Sequence, residues 1–95
     1  MATIVVGSYE WDADKAAANL AKHGVSFVEA VTALQDPRAA YVPAGDVDGE
    51  ERFAAIGMSA AARLLLVVLV ERGVRDRIIS ARLATAAEED LYTQG

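Results

Sequence analysis

The sequence predicts an α+β fold: a small antiparallel sheet with two N-terminal helices and one C-terminal helix. Three observations carry this. Leu64–Val70 is an unbroken apolar run of strand length, closed by Arg63 and Glu71, as expected for a strand covered on both faces. Asp12, Ser26-Phe27-Val28-Glu29 and Thr85-Ala86-Ala87-Glu88 are helix-start signals on either side of it. The helices therefore sit apart from the run of strands instead of alternating with it, which is the α+β pattern.

Each element has its own local cause. Ile4–Tyr9 reads as one short strand from its β-branched and aromatic content, weakened in the middle by Gly7. Asp12 is an N-cap, Ala13–Lys22 is rich in helix formers with Ala13, Ala16 and Leu20 on one face, and Gly24 supplies a left-handed stop. Ser26 and Glu29 form a capping box with Val25 as a hydrophobic staple. Phe27, Ala30, Val31 and Leu34 then make a stripe to be buried, and Asp36-Pro37 ends the helix. Ala39–Val42 reads as a strand and residues 43–49 as an acidic loop. Glu51–Met58 suits a strand with Arg52, Ala54 and Ile56 on one side and Phe53 and Ala55 on the other. Residues 71–74 turn the chain, and Arg75–Arg82 returns antiparallel beside Leu64–Val70. Regular alternation there places Arg77 and Ile79 on one face and Ser80 and Arg82 on the other. Thr85 and Glu88 cap a last helix with Leu91 and Tyr92 as its larger contacts.

At 95 residues one domain spanning 1–95 is the expectation. No run reaches the roughly 18–20 apolar residues of a membrane helix, so no membrane partner is expected. The N-terminal residues lack the pattern of a secretory signal and there is no cysteine, so a cytoplasmic location is the simplest reading. The net charge of −5 argues against a broad nucleic-acid-gripping surface. Its distribution is uneven: residues 63–82 hold five arginines against Glu71 and Asp76, a net of +3 that leaves −8 for the remainder. Direct DNA binding by this chain is disfavoured. Asp46-Val47-Asp48-Gly49-Glu50 lacks the spacing of a calcium loop, and one histidine without cysteine does not build a zinc site, so no metal and no cofactor are expected.

One combination of motifs is distinctive. Glu10-Trp11-Asp12, Asn19, Lys22-His23-Gly24-Val25-Ser26-Phe27, Asp36-Pro37, Glu51-Arg52, and Ile78-Ile79-Ser80-Ala81-Arg82-Leu83-Ala84-Thr85 with Glu88 and Tyr92 together resemble the BrnT toxin family, also called DUF497. The resemblance covers nearly the whole chain. It implies a fold similar to the RelE-type ribonucleases and the role of toxin in a type II toxin–antitoxin pair that blocks translation by cutting RNA. The implied partner is a BrnA antitoxin whose ribbon-helix-helix domain binds DNA, so DNA is reached only through the antitoxin. The chain departs from the family pattern where several basic residues usually surround the last helix: here stand Leu83, Ala86, Ala87, Glu89 and Asp90. Ala13 replaces a proline and Ala62 a glycine. Fewer basic residues weaken phosphate binding, which opens a second expectation, a catalytically weakened BrnT-like module that persists as partner of a ribbon-helix-helix regulator.

Metal-independent RNA cleavage needs a proton acceptor for the 2′-hydroxyl, a donor for the leaving oxygen, and cations on the phosphorane. Arginine suits the last task because its planar fork matches phosphate oxygens. The candidates are Arg77 and Arg82 for charge stabilisation, and His23 or Glu71 for moving protons. Lys22, Arg63, Arg72, Arg75 and Tyr92 are candidates for holding RNA. Each has a plainer role open to it: surface ion pairs for the arginines, the helix dipole for His23 and Lys22, a salt bridge to Arg63 or Arg72 for Glu71, and anchoring of the last helix for Tyr92.

Overall fold

The structure, a computed structural model, describes residues 2–94. In chain order it has β1 (Thr3–Val6), β2 (Tyr9–Asp12), α1 (Ala13–His23), α2 (Phe27–Leu34), β3 (Ala40–Val47), β4 (Glu50–Met58), β5 (Leu64–Arg72), β6 (Arg75–Leu83) and α3 (Ala86–Gln94). The strands form one six-stranded sheet in the order β1-β2-β6-β5-β4-β3. All neighbours are antiparallel except β2 and β6, which run parallel. The expected small antiparallel sheet is thus larger and mixed. The parallel contact arises because α1 and α2 and three further strands intervene before β6 returns beside β2.

The expected strand over Ile4–Tyr9 is two strands. Gly7, at φ 57°, turns the chain so that Val6 pairs with Tyr9 and Ile4 with Trp11. The expected loop over 43–49 is mostly strand: β3 continues to Val47 past an irregularity between Pro43 and Asp46, and Asp48 and Gly49, both at positive φ, close a two-residue hairpin.

The helix ends follow their caps. The Asp12 carboxylate accepts from the Lys15 amide at 3.0 Å, and Gly24 sits at φ 69°. Ser26 Oγ accepts from the Glu29 amide, but Glu29 does not reach back, so this box is half formed. At Thr85 both halves form: Thr85 Oγ1 accepts from the Glu88 amide and Glu88 accepts from the Thr85 amide.

α1 and α2 cover one face of the sheet and build the main core, which includes Trp11, Val25, Phe27, Ala30, Val31, Leu34, Leu65, Val67, Leu69, Ile78 and Ala81. The Phe27 stripe is buried as expected, and Trp11 meets Phe27 edge-on at 5.9 Å. α1 seats through Ala16 and the buried Asn19, while Leu20 turns half out to solvent. The Asn19 amide donates to the carbonyls of Val25 and Ala81 and accepts from the Ala81 amide, tying α1 to β6. α3 lies over part of the opposite face, on a smaller cluster of Ala54, Ile56 and Leu66 joined by Tyr92. Leu91 is exposed, so Tyr92 alone of the two expected contacts anchors this helix.

Candidate functional site

The arginines are organised by a backbone feature. In the β5–β6 ladder Leu69 pairs with Ile78 and Val68 with Ser80, so Ile79 is an extra residue opposite none. Such a bulge shifts the side-chain phase of its strand. Ile78 and Ala81, three residues apart, consequently both enter the helix-covered core. Arg77 pairs with Val70 and Arg82 with Leu66, four residues apart on β5. They therefore share a face, against the alternation that separated them. It is the face that carries α3, and Arg77 and Arg82 stand about 13 Å apart along it at the strand's rise per residue.

Three neighbours join them there. Glu10 of β2 lies beside Arg77 in the parallel register, and Glu50 stands across from Arg72. Arg52 is on the same side of β4 as Ala54 and Ile56. The part of this face beyond α3 is an open depression of about 400 Å³, lined by Asp12, Lys15, Glu50, Arg52, Arg72 and Arg77 among others.

Four arginines are each matched by one carboxylate. Arg82 grips Glu88 with two parallel bonds of 2.8 and 2.9 Å, a geometry that also fixes the start of α3. Arg72 grips Glu50 at 2.8 and 3.0 Å. Arg63 binds Glu29 through Nε at 2.9 Å and again through Nη2. Arg77 Nε donates to Glu10 at 3.2 Å, and its Nη2 lies 3.1 Å from the same oxygen, in the most enclosed pair, with side chains 21% and 18% exposed. The bonds from Arg82, Arg72 and Arg63 hold the carboxyls of Glu88, Glu50 and Glu29 below their ordinary values. Burial, with Glu71 nearby, pushes the Asp76 carboxyl up.

The remaining expected residues divide between the two ends of the sheet. Arg63 donates to the Gly24 carbonyl at 3.0 Å, which places it next to Lys22 and His23 at the end of α1. Glu71, Arg72 and Arg75 lie at the other end of β5, about 26 Å away for a nine-residue strand. Arg75 donates to the Gly7 carbonyl and ties β6 to the first hairpin. Glu71 pairs with Asp76, one step from the Val70–Arg77 pair, so its side chain leaves from the face opposite Arg77. The expected bridge from Glu71 to Arg63 or Arg72 does not form, because those arginines take Glu29 and Glu50. His23, on α1, is also on the helix-covered side. The Tyr92 hydroxyl donates to Asp36 at 2.6 Å, which lowers the Asp36 carboxyl and raises the Tyr92 phenol.

The structure thus brings Arg77, Arg82 and Arg72 to one face with Glu10, Glu50 and Arg52, and leaves His23 and Glu71 off it. Glu10 and Arg52 were absent from the expected site. Arg52 had a signal, since alternation along β4 puts it with Ala54 and Ile56. Glu10 stands in a motif that carries the family resemblance, but its place beside Arg77 depends on a parallel pairing across 67 residues of chain.

Fold and site define a small α+β domain with an arginine-bearing, largely ion-paired sheet face. Residues 11–88 match the family described as the ribonuclease toxin, BrnT, of type II toxin–antitoxin systems, and the chain belongs to that family. It is also similar to the Brucella abortus ribonuclease toxin BrnT, known from a 1.1 Å crystal structure: 29% identity over 79% of this chain and 92% of that one, with a TM-score of 0.61. No curated protein matches the sequence.

Proposed function

We propose that this chain is a toxin that arrests translation by metal-independent cleavage of RNA and is neutralised by a BrnA-type antitoxin with a ribbon-helix-helix DNA-binding domain. Family membership supports the class, and the RelE-type comparison remains part of this reading. The observation that carries the chemistry is the bulge at Ile79, which turns Arg77 and Arg82 onto one face. There Arg77 can stabilise the charge that builds on the phosphorane, while Arg82, about 13 Å along the strand and bonded to Glu88, would contact a neighbouring phosphate. The proton acceptor must reach the same face, and Glu10, held beside Arg77, does so. His23 and Glu71 would have to act from the other side of the sheet, so the proton-moving role passes to Glu10. Lys22 and Arg63 then serve at most as peripheral contacts for a longer RNA, and Arg72 as a closer one.

A second reading has its own observation. Arg63, Arg72, Arg77 and Arg82 are each already engaged by a carboxylate, and α3 begins with Glu88, Glu89 and Asp90. A chain with so little free positive charge is suited to persist as a binding partner of a ribbon-helix-helix regulator. Induced expression separates the two. The toxin reading expects growth arrest that is relieved by Arg77→Ala and by co-expression of the neighbouring antitoxin gene. No arrest, together with a stable complex, establishes the second.

A further inference from the structure

Among the described residues one buried side-chain nitrogen lacks any hydrogen-bond partner: Nε of Arg52. A buried guanidinium N–H left unmatched costs free energy, so an acceptor that reaches it is favoured; Glu50 lies close enough to feel the charge of Arg52, but its bonds go to Arg72. Every other arginine lining the depression already has a carboxylate: Arg72 has Glu50 and Arg77 has Glu10. The registers place Arg52 closely. Phe53 pairs with Leu69, so Arg52, one residue earlier, stands opposite Val70, and Val70 pairs with Arg77 on its other side. Glu10 follows next to Arg77 on β2. Arg52, Val70, Arg77 and Glu10 therefore form one row across four adjacent strands. At the usual spacing between strands the two arginine Cα atoms stand about 10 Å apart. The fully buried Val70 between them makes an apolar floor flanked by the two arginines, with the Arg77 guanidinium bonded to Glu10 on its far side.

We propose that this row is a phosphodiester-binding subsite in which Arg52 is the anchoring cation and Arg77, held in place by Glu10, is the second jaw. The proposal deepens the ribonuclease reading and rests on it. Charge agrees with a single phosphodiester: Lys15, Arg52, Arg72 and Arg77 against Glu10, Asp12 and Glu50 leave one positive charge. Arg52 binds by charge-assisted hydrogen bonds from its fork, so lysine at this position keeps the attraction and loses the two-point geometry. Arg52 acts on the substrate directly, whereas Glu10 also positions Arg77.

The test uses the full chain freed of antitoxin and a 2′-O-methyl RNA oligonucleotide, which lacks the attacking hydroxyl and is not cut. Affinity is measured at several salt concentrations for wild type, Arg52→Gln, Arg52→Lys and, as a control cation that does not line the depression, Arg38→Gln. The expected result is at least about tenfold weaker binding for Arg52→Gln, with the salt slope reduced by about 0.7, the loss of one phosphate contact on a single strand. Arg52→Lys keeps the slope with intermediate affinity, and Arg38→Gln matches wild type. Thermal unfolding of Arg52→Gln at or above the wild-type midpoint shows that the fold is kept, as expected when an unmatched buried group is removed. Unchanged RNA affinity and slope for Arg52→Gln, in a wild type that binds and cuts RNA, overturns the subsite and leaves the ribonuclease reading standing. A wild type that neither binds nor cuts RNA overturns both. Loss of antitoxin binding with RNA binding intact assigns the row to the protein partner and also overturns the proposal.

Discussion

The two faces of this sheet are built on opposite principles. The face under α1 and α2 is a continuous apolar core, in which Phe27, Leu65, Leu69 and Ile78 are fully buried and the buried side-chain polar group of α1, Asn19, has its bonds made. The face under α3 has a small apolar cluster and is otherwise held by ion pairs and by the Tyr92–Asp36 bond, with no residue of α3 itself buried. Burial of large apolar side chains supplies most folding free energy, while part-exposed ion pairs supply little. Stability therefore belongs to the first face, and the second can carry charges that stability does not require.

The largest effect expected from breaking this contrast is on the helix-covered side. A Cβ on Gly57 would lie 2.3 Å from the Ala33 carbonyl oxygen, a backbone atom of α2 that cannot give way alone. Gly57→Ala should push α2 off the sheet and cost about 3 kcal/mol, the upper end for overpacking, read as a lower denaturant midpoint.

On the α3 side the effects should be smaller and dependent on pH. Glu88→Gln removes the charge from a pair whose side chains are 37% and 20% exposed, so the expected loss at neutral pH is about 0.5–1 kcal/mol after solvent screening. Glu88, Glu29 and Asp36 have folded-state values below their unfolded ones. Their contribution is therefore complete above the ordinary carboxylate range and is lost as pH falls through the folded values. Acid titration of unfolding should show a decline beginning near pH 4.5 and continuing below it, less steep in Glu88→Gln. A variant with the wild-type acid profile would show that the pair adds nothing to the fold.

The smallest effect lies between the faces, in the turn before β5. Ala62 holds φ 60°, a left-handed conformation disfavoured for a residue with a Cβ. Ala62→Gly should raise stability by about 0.5 kcal/mol, part of the relief being offset by the greater freedom of glycine in the unfolded chain. A lower unfolding midpoint would contradict this.

The same contrast separates what the sequence made legible from what it did not. The helix-covered face was readable because its causes are local: Asp12 and Gly24 bound α1, Ser26 starts α2, the Phe27–Leu34 spacing marks the buried stripe, and Leu64–Val70 declares a covered strand. The site face depends on non-local backbone geometry. Glu10 reaches Arg77 through the one parallel pairing, which no local pattern encodes. The bulge at Ile79 involves Ile78, Ile79 and Ser80, none of which marks a bulge as a glycine would, so regular alternation put Arg77 and Arg82 on opposite faces. Reading Ile4–Tyr9 as one strand hid β2, and with it the strand that carries Glu10. The Asp48-Gly49 turn was readable in principle, because Asp-Gly is the usual signature of a two-residue hairpin.

The central claim is that the chemistry lies on the arginine face, away from the face covered by α1 and α2. The direct measurement is cleavage of a labelled RNA by the purified chain, freed of antitoxin, in excess chelator, comparing wild type with Arg77→Ala, Glu10→Gln and His23→Gln. The expected result is cleavage by wild type without metal, a loss of at least about 100-fold for Arg77→Ala and for Glu10→Gln, and a rate within about threefold for His23→Gln. A large loss for His23→Gln with full activity in Glu10→Gln and Arg77→Ala would place the chemistry on the other face and contradict the account.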